Sequence, residues 1–336
     1  MATRWNSCLG PALVLLFCLS QAFRDVYFGH VFQGVDFFAI ILLAFVASTV
    51  LFTALPLLRD PATFKKLRGH GRTVLMMNVT TALAWSCYFF GLSHLDPSVV
   101  NTLHSGMGPL TVVALAAFGV RLAKTDRVGW SEYFGYAGIA LSLAALAWIV
   151  LSGRSGLAAG NETMALLGLA ALVVSGVSIT VSLLYCKRLQ DNGVNADVVT
   201  AVRYLLLIAI AAGVVWRKGR LEGIGSAGEA VTLTALATVL IVLPLYAFQV
   251  GIALTTPLTA NVLRALGPVF VFALQQIDGR LAYSTPALIG ILAYSAAAIV
   301  STLTHARQAA GRPSVAAKTR GVSARPLPPQ ALPAER

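Results

Sequence analysis

Ten apolar runs, separated by short polar connectors, take up almost all of this 336-residue chain. They fall at residues 9–31, 35–57, 73–93, 98–120, 131–151, 164–186, 197–216, 230–250, 258–276 and 283–304. Each is close to the roughly 20 residues a helix needs to cross the hydrocarbon of a bilayer. Backbone in hydrocarbon must satisfy its own hydrogen bonds, so isolated runs of this length form helices. Composition agrees, with 57% hydrophobic and 11% charged residues, a balance foreign to soluble domains. The expected fold is therefore an all-α multi-pass membrane protein with ten transmembrane helices and the lipid bilayer as its solvent.

Two of the runs spell nearly the same thing. Gly91, Pro97, Asn101 and Leu103 recur as Gly251, Pro257, Asn261 and Leu263 at an offset of 160, and Gly108-Pro109 recurs as Gly267-Pro268 at 159. If the first span pairs with the sixth, each half has five helices. An odd number of spans sends the second half into the membrane upside down, so the repeat is inverted. The predicted units are a first five-helix repeat, 1–151, and a second, 152–305. Residues 306–336 hold five prolines and no apolar periodicity, which predicts a disordered basic tail.

Lysines and arginines set the orientation. With the N-terminus in the cytoplasm, 17 of the 25 basic residues fall on the inner side, in the 59–72, 121–127 and 187–188 connectors, the tail and Arg4. The outer side takes Arg154, Arg217, Lys218, Arg220 and Arg280, and three more (Arg24, Arg203, Arg264) lie within spans. Both termini are thus expected in the cytoplasm, with the protein in the cell (inner or plasma) membrane. Loop bias also explains the net charge of +12 without a nucleic-acid partner, since no basic face carries interleaved aromatics. Residues 1–22 imitate a secretory signal peptide, but cleavage there would leave the first repeat incomplete. Cys8, Cys18, Cys87 and Cys186 have no metal-ligand spacing, and neither metal nor cofactor is expected.

An ionisable side chain within a span costs about 2.5–3.5 kcal/mol on insertion scales, so each one is a candidate site. Arg264 sits early in the ninth span, and Pro268 cannot donate to its carbonyl. Pro109 frees the carbonyl of Ser105 in the same way. Gly108, Pro109, Gly267 and Pro268 are therefore the predicted kink points. Two readings of Arg264 stand: a substrate contact, or a brace between the halves. Asn101 and Asn261, one turn earlier in each copy, suit either substrate binding or helix–helix glue. His104 holds the register of Arg264 and is either a hydrogen-bonded structural group or a proton-coupling one. Arg24 and Asp25 form an adjacent base and acid, either inside the outer half of the first span or flanking it. Arg203 either snorkels to the inner interface or lines a cavity. Asn78, Gln249, Gln275 and Gln276 read as structural polar groups near span ends. Because the charges in the spans are mostly basic, a cavity lined by them favours anionic or polar neutral solutes.

These residues resemble a family. The Pro-x-x-x-Asn openings at Pro97–Asn101 and Pro257–Asn261, the Gly-Pro pairs and the 201–206 segment bearing Arg203 are similar to the drug/metabolite transporter superfamily, EamA-like branch. The resemblance covers about residues 8–304. It implies a secondary transporter that moves a small-molecule metabolite by alternating access, around a cavity between spans 1–4 and 6–9. Spans five and ten would then serve packing or a homodimer contact, through Gly135, Gly138, Ala296 and Ala297. Arg264 falls where the phosphate-translocating branch carries a cation, while His104 is one residue out of register with its Gly-Pro. The first span lacks the buried Glu of small multidrug members, which leaves Asp25 as the one stand-in for a proton-coupled drug or amino-acid exporter.

Other classes fare worse. An intramembrane enzyme needs a cluster of catalytic groups, yet the five histidines (30, 70, 94, 104, 305) are widely separated and no Gly-x-Ser-x-Gly elbow occurs. A channel or lipid scramblase would conduct without any counter-substrate.

Overall fold

A computed structural model describes residues 2–120, 130–156, 162–219 and 222–311. The basic residues Arg121, Lys124, Arg127 and Arg220, and residues 312–336 of the expected tail, lie outside these. The described secondary structure is helical, and ten helical stretches are long and apolar enough to cross a membrane. This is the architecture of a multi-pass membrane protein.

Seven spans are single helices: α1 (Ala2–Val31), α2 (Phe37–Arg59), α3 (Gly71–His94), α4 (Pro97–Ala117), α5 (Trp130–Leu151), α6 (Glu162–Asp191) and α13 (Thr285–Gly311). Three are interrupted. Span seven is α7 (Ala196–Arg203) and α8 (Leu205–Lys218); span eight is α9 (Ala227–Ala237) and α10 (Leu243–Leu254), joined by a π-helical turn at Thr238–Val242; span nine is α11 (Pro257–Ala265) and α12 (Gly267–Asp278). Arg24 and Asp25 fall inside the first apolar stretch, Cys8–Val31. Helix α13 runs past the expected end at residue 304 to Gly311. Ala306, Arg307, Gln308, Ala309 and Ala310 are strong helix formers and extend it beyond the apolar run.

The two Gly-Pro pairs behave differently. Helix α4 passes through Gly108-Pro109 without a break. At Gly267-Pro268 the helix stops, with Leu266 at φ −84°, ψ −11°, and Pro268 takes an early position of α12, where its missing N–H costs nothing. Thr256 opens α11, its hydroxyl accepting from Thr259 N at 3.2 Å.

Helix pairing follows one pattern. Helix α3 packs along α6, and α10 along α1; α4 lies on α6, and α11 and α12 on α1; α5 lies against α13, α2 against α7 and α8, and α4 against α12. Exchanging span n for span n+5 carries each pairing onto another or onto itself. The repeated glycines do the same job in both places. A Cβ on Gly91 of α3 would stand 2.7 Å from Leu172 of α6. One on Gly251 of α10 would stand 3.1 Å from Leu13 of α1. With little hydrophobic force between helices in lipid, such close approach supplies the van der Waals contact that holds them. Between α5 and α13, Gly135 accommodates Ser301 and Gly138 accommodates Ala297, while Ala296 faces outward.

Candidate functional site

The first span turns Arg24 and Asp25 into the bundle, where both are buried, at 5% and 0% exposed. Arg24 donates to Asp25 Oδ1 from Nε at 2.8 Å and from Nη2 at 2.6 Å, and from Nη2 to the Tyr88 hydroxyl at 3.1 Å. Its guanidinium lies 5.6 Å from the ring centre of Trp85 and 5.3 Å from that of Tyr88, which gives the cation two aromatic faces. The other carboxylate oxygen, Asp25 Oδ2, accepts from Asn101 Nδ2 at 2.8 Å. Each charge is thus met by its opposite and by neutral donors or rings. Such pairing is the condition for keeping ions in a low dielectric.

His104, one turn beyond Asn101 on α4, extends the polar cluster. Its ring stands edge-on to Tyr88 at 4.6 Å, and its Nδ1 is 3.0 Å from Ser175 Oγ on α6. The Ser175 hydroxyl spends its hydrogen on the carbonyl of Ala84, at 2.6 Å. Nδ1 of His104 is therefore the donor and Nε2 is free to accept.

Arg264 is different. It is exposed, as is Asn261 one turn before it. None of the ion pairs among the described residues involves it. Its guanidinium lies 5.3 Å from the ring centre of Phe248. The Cys18 thiol donates to the carbonyl of Leu263 at 3.6 Å, beside the break in span nine. Asn101 is the link to this half: its Oδ1 would stand 3.7 Å from a Cβ on Gly267.

Of the sequence candidates, Arg24, Asp25, Asn101 and His104 come together, Arg264 and Asn261 lie on α11 just before the break that Asn101 approaches, and Arg203 stands elsewhere. Arg203 is half-buried, donates from Nε to Thr81 Oγ1 at 3.2 Å, and lies over the ring of Tyr204. Sequence reasoning missed Tyr88, Trp85 and Ser175, which sit in apolar stretches with no pattern to mark them. It read Gln275 as structural. Buried at 2% exposure, Gln275 accepts from Ser98 N at 3.2 Å and so caps the first turn of α4 from α12. Gln249 has no described side chain.

A cavity of about 90 Å³ opens between the C-terminal ends of α1, α3 and α12, lined by Gly29, His30, Gln33, Ser93, Gln275 and Asp278 among others. Asp278 is ion-paired there with Arg280. The central cluster does not line it. Among the described residues, no group of three or more metal-ligating side chains occurs.

No family model matches the chain, and no curated protein matches it. A solved structure, described only as "Crystal structure of protein", superimposes with a TM-score of 0.58 and 19% identity, covering 89% of this chain and 98% of that one. At that identity the likeness is one of fold.

Proposed function

We propose that the chain is a secondary transporter of the drug/metabolite transporter kind, EamA-like, moving a small polar or anionic metabolite by alternating access. The observation that carries this reading is Arg264: an exposed guanidinium in a membrane span, without a carboxylate partner among the described residues, beside a break in its helix. A cation kept at such cost marks a solute path. The charges behind it cancel in the Arg24–Asp25 pair, so the open charge favours a solute that brings a negative or strongly polar group.

The exchange of span n for span n+5 in the helix pairing supports two inverted repeats, 1–151 and 152–305, with the site where they meet. The lysine and arginine bias supports both termini in the cytoplasm, and the resemblance supports a place in the cell membrane. Gly135 and Gly138 of span five are used within the chain against span ten, which favours packing over a homodimer contact for that face.

Uptake of a panel of labelled metabolites into proteoliposomes, by wild type and by Arg264→Ala, tests the reading. Loss of transport of the anionic members, with unchanged thermal unfolding, is the expected result. A mutant that carries every solute as well as wild type sinks it.

A further inference from the structure

Span seven is broken at Tyr204, φ −104°, ψ 3°, although no proline or glycine lies within eight residues on either side. In an unbroken helix the N–H of Leu206 would bond to the carbonyl of Val202, four residues back. Here the side chain of Asn78, from α3, stands between those two atoms. Its Nδ2 donates to Val202 O at 2.8 Å, and its Oδ1 accepts from Leu206 N at 3.1 Å. One amide has been inserted into one backbone hydrogen bond, and both orphaned groups are satisfied by it. Insertion of a side chain into the ladder is a recognised cause of helix breaks.

The break has a consequence for Arg203, the last residue of α7. It holds the guanidinium against Thr81, whose hydroxyl is 2.6 Å from Ser182 on α6. Asn78 and Thr81 lie three residues apart on one face of α3. The same face therefore opens span seven and receives the arginine released by the opening. Asn78 is buried at 5% exposure and also bonds to Val74 O at 3.0 Å, a partner it keeps whether or not it engages span seven.

We propose that Asn78 is the wedge of a two-state hinge in span seven. With the amide inserted, the span is broken and Arg203 is held between α3 and α6. With the amide withdrawn onto Val74, Leu206 N closes on Val202 O and residues 196–218 form one straight helix that carries Arg203 away from Thr81. Closing replaces the two bonds that Asn78 makes to span seven with one backbone bond and keeps the bond to Val74 O, a small difference of the kind a bistable element requires. The hinge stands on this geometry and does not need the transport reading.

Amide hydrogen exchange of the whole protein in lipid nanodiscs tests it, comparing wild type with Asn78→Leu and with the smaller Asn78→Ala. If Asn78 is a wedge, removing it lets the backbone bond close, and exchange across residues 203–208 slows by tenfold or more while α4 and α13 stay unchanged. If Asn78 is only a brace, removal leaves Leu206 N and Val202 O open, and exchange there quickens or stays the same. That result overturns the proposal. The alanine variant supplies the answer if leucine disturbs the fold, which would show as faster exchange throughout α3 and α6.

Discussion

Asn101 donates its side-chain amide to the carboxylate of Asp25 at 2.8 Å, across 76 residues of chain. That bond joins the first span to the fourth and closes the coordination of a buried ion pair. Its repeat counterpart, Asn261, makes no such bond among the described residues and is exposed. The two halves share their letters and divide the work: one asparagine is committed to structure, and the other stands beside an open cation.

Removing one member of the buried pair should be costly. Asp25→Ala leaves Arg24 charged and partnered only by Tyr88 and the aromatic rings, and is expected to lower stability by about 3–5 kcal/mol. The double replacement Arg24→Met/Asp25→Leu removes both charges and should recover most of that loss. Thermal unfolding in detergent checks both, and a double mutant no better than Asp25→Ala would contradict the account.

The asparagines should separate in the same assay. Asn101→Ala strips a donor from a buried carboxylate and is expected to cost about 1–3 kcal/mol. Asn261→Ala, at an exposed position, should fall within about 0.5 kcal/mol of wild type, with any effect confined to transport. Equal losses of stability would undo the assignment of different roles.

Two glycines give a packing test. A Cβ on Gly176 would collide with Met107 Cβ and stand 2.8 Å from the carbonyl of His104. Backbone must then shift, so Gly176→Ala should cost about 1–3 kcal/mol and push α6 away from the turn carrying His104. Across the helix interface a Cβ on Gly108 meets only Thr180 Oγ1, at 3.6 Å. Its gain in helix propensity is offset by the crowding that a Cβ before Pro109 brings in a helix, so Gly108→Ala should stay within about 0.5 kcal/mol of wild type. An unfolding temperature lowered in Gly176→Ala and nearly unchanged in Gly108→Ala is the expected outcome.

The prolines make a matching pair. Pro109 lies inside a continuous helix, where it removes a bond and crowds the preceding turn. Pro109→Ala should raise stability and leave amide protection around it in place or better. Pro268 lies at an existing break, so Pro268→Ala should change stability little while slowing exchange near Leu266 as the helix gains a donor. Hydrogen exchange by peptide reads both, and protection unchanged at Leu266 would mean that Gly267 alone sustains the break.

Much of this was legible in the sequence, because the determinants are local. Run length decides what can cross hydrocarbon, and a charge inside a run is conspicuous, so the ten spans and Arg24, Asp25, Arg203 and Arg264 stood out. The repeat marked Gly91 and Gly251 as equivalent before their packing was known. Span seven was not legible. Residues 197–216 read as a continuous helix since nothing in them breaks one; the break comes from Asn78, more than 120 residues earlier in the chain. Tyr88, Trp85 and Ser175 were hidden because an aromatic or a serine in an apolar run looks the same whether it faces lipid or a buried arginine.

The amino-acid sequence by itself determined the number of spans, their apolar character and the repeated scaffold of glycine, proline and asparagine, since these follow from hydrophobic length and backbone stereochemistry. Only the tertiary structure decided which polar groups meet. A side chain in a membrane span has no water to fall back on, so its state depends on partners from other helices. Those partners make Arg24 a closed charge, leave Arg264 an open one, and turn Asn78 into part of another helix's backbone.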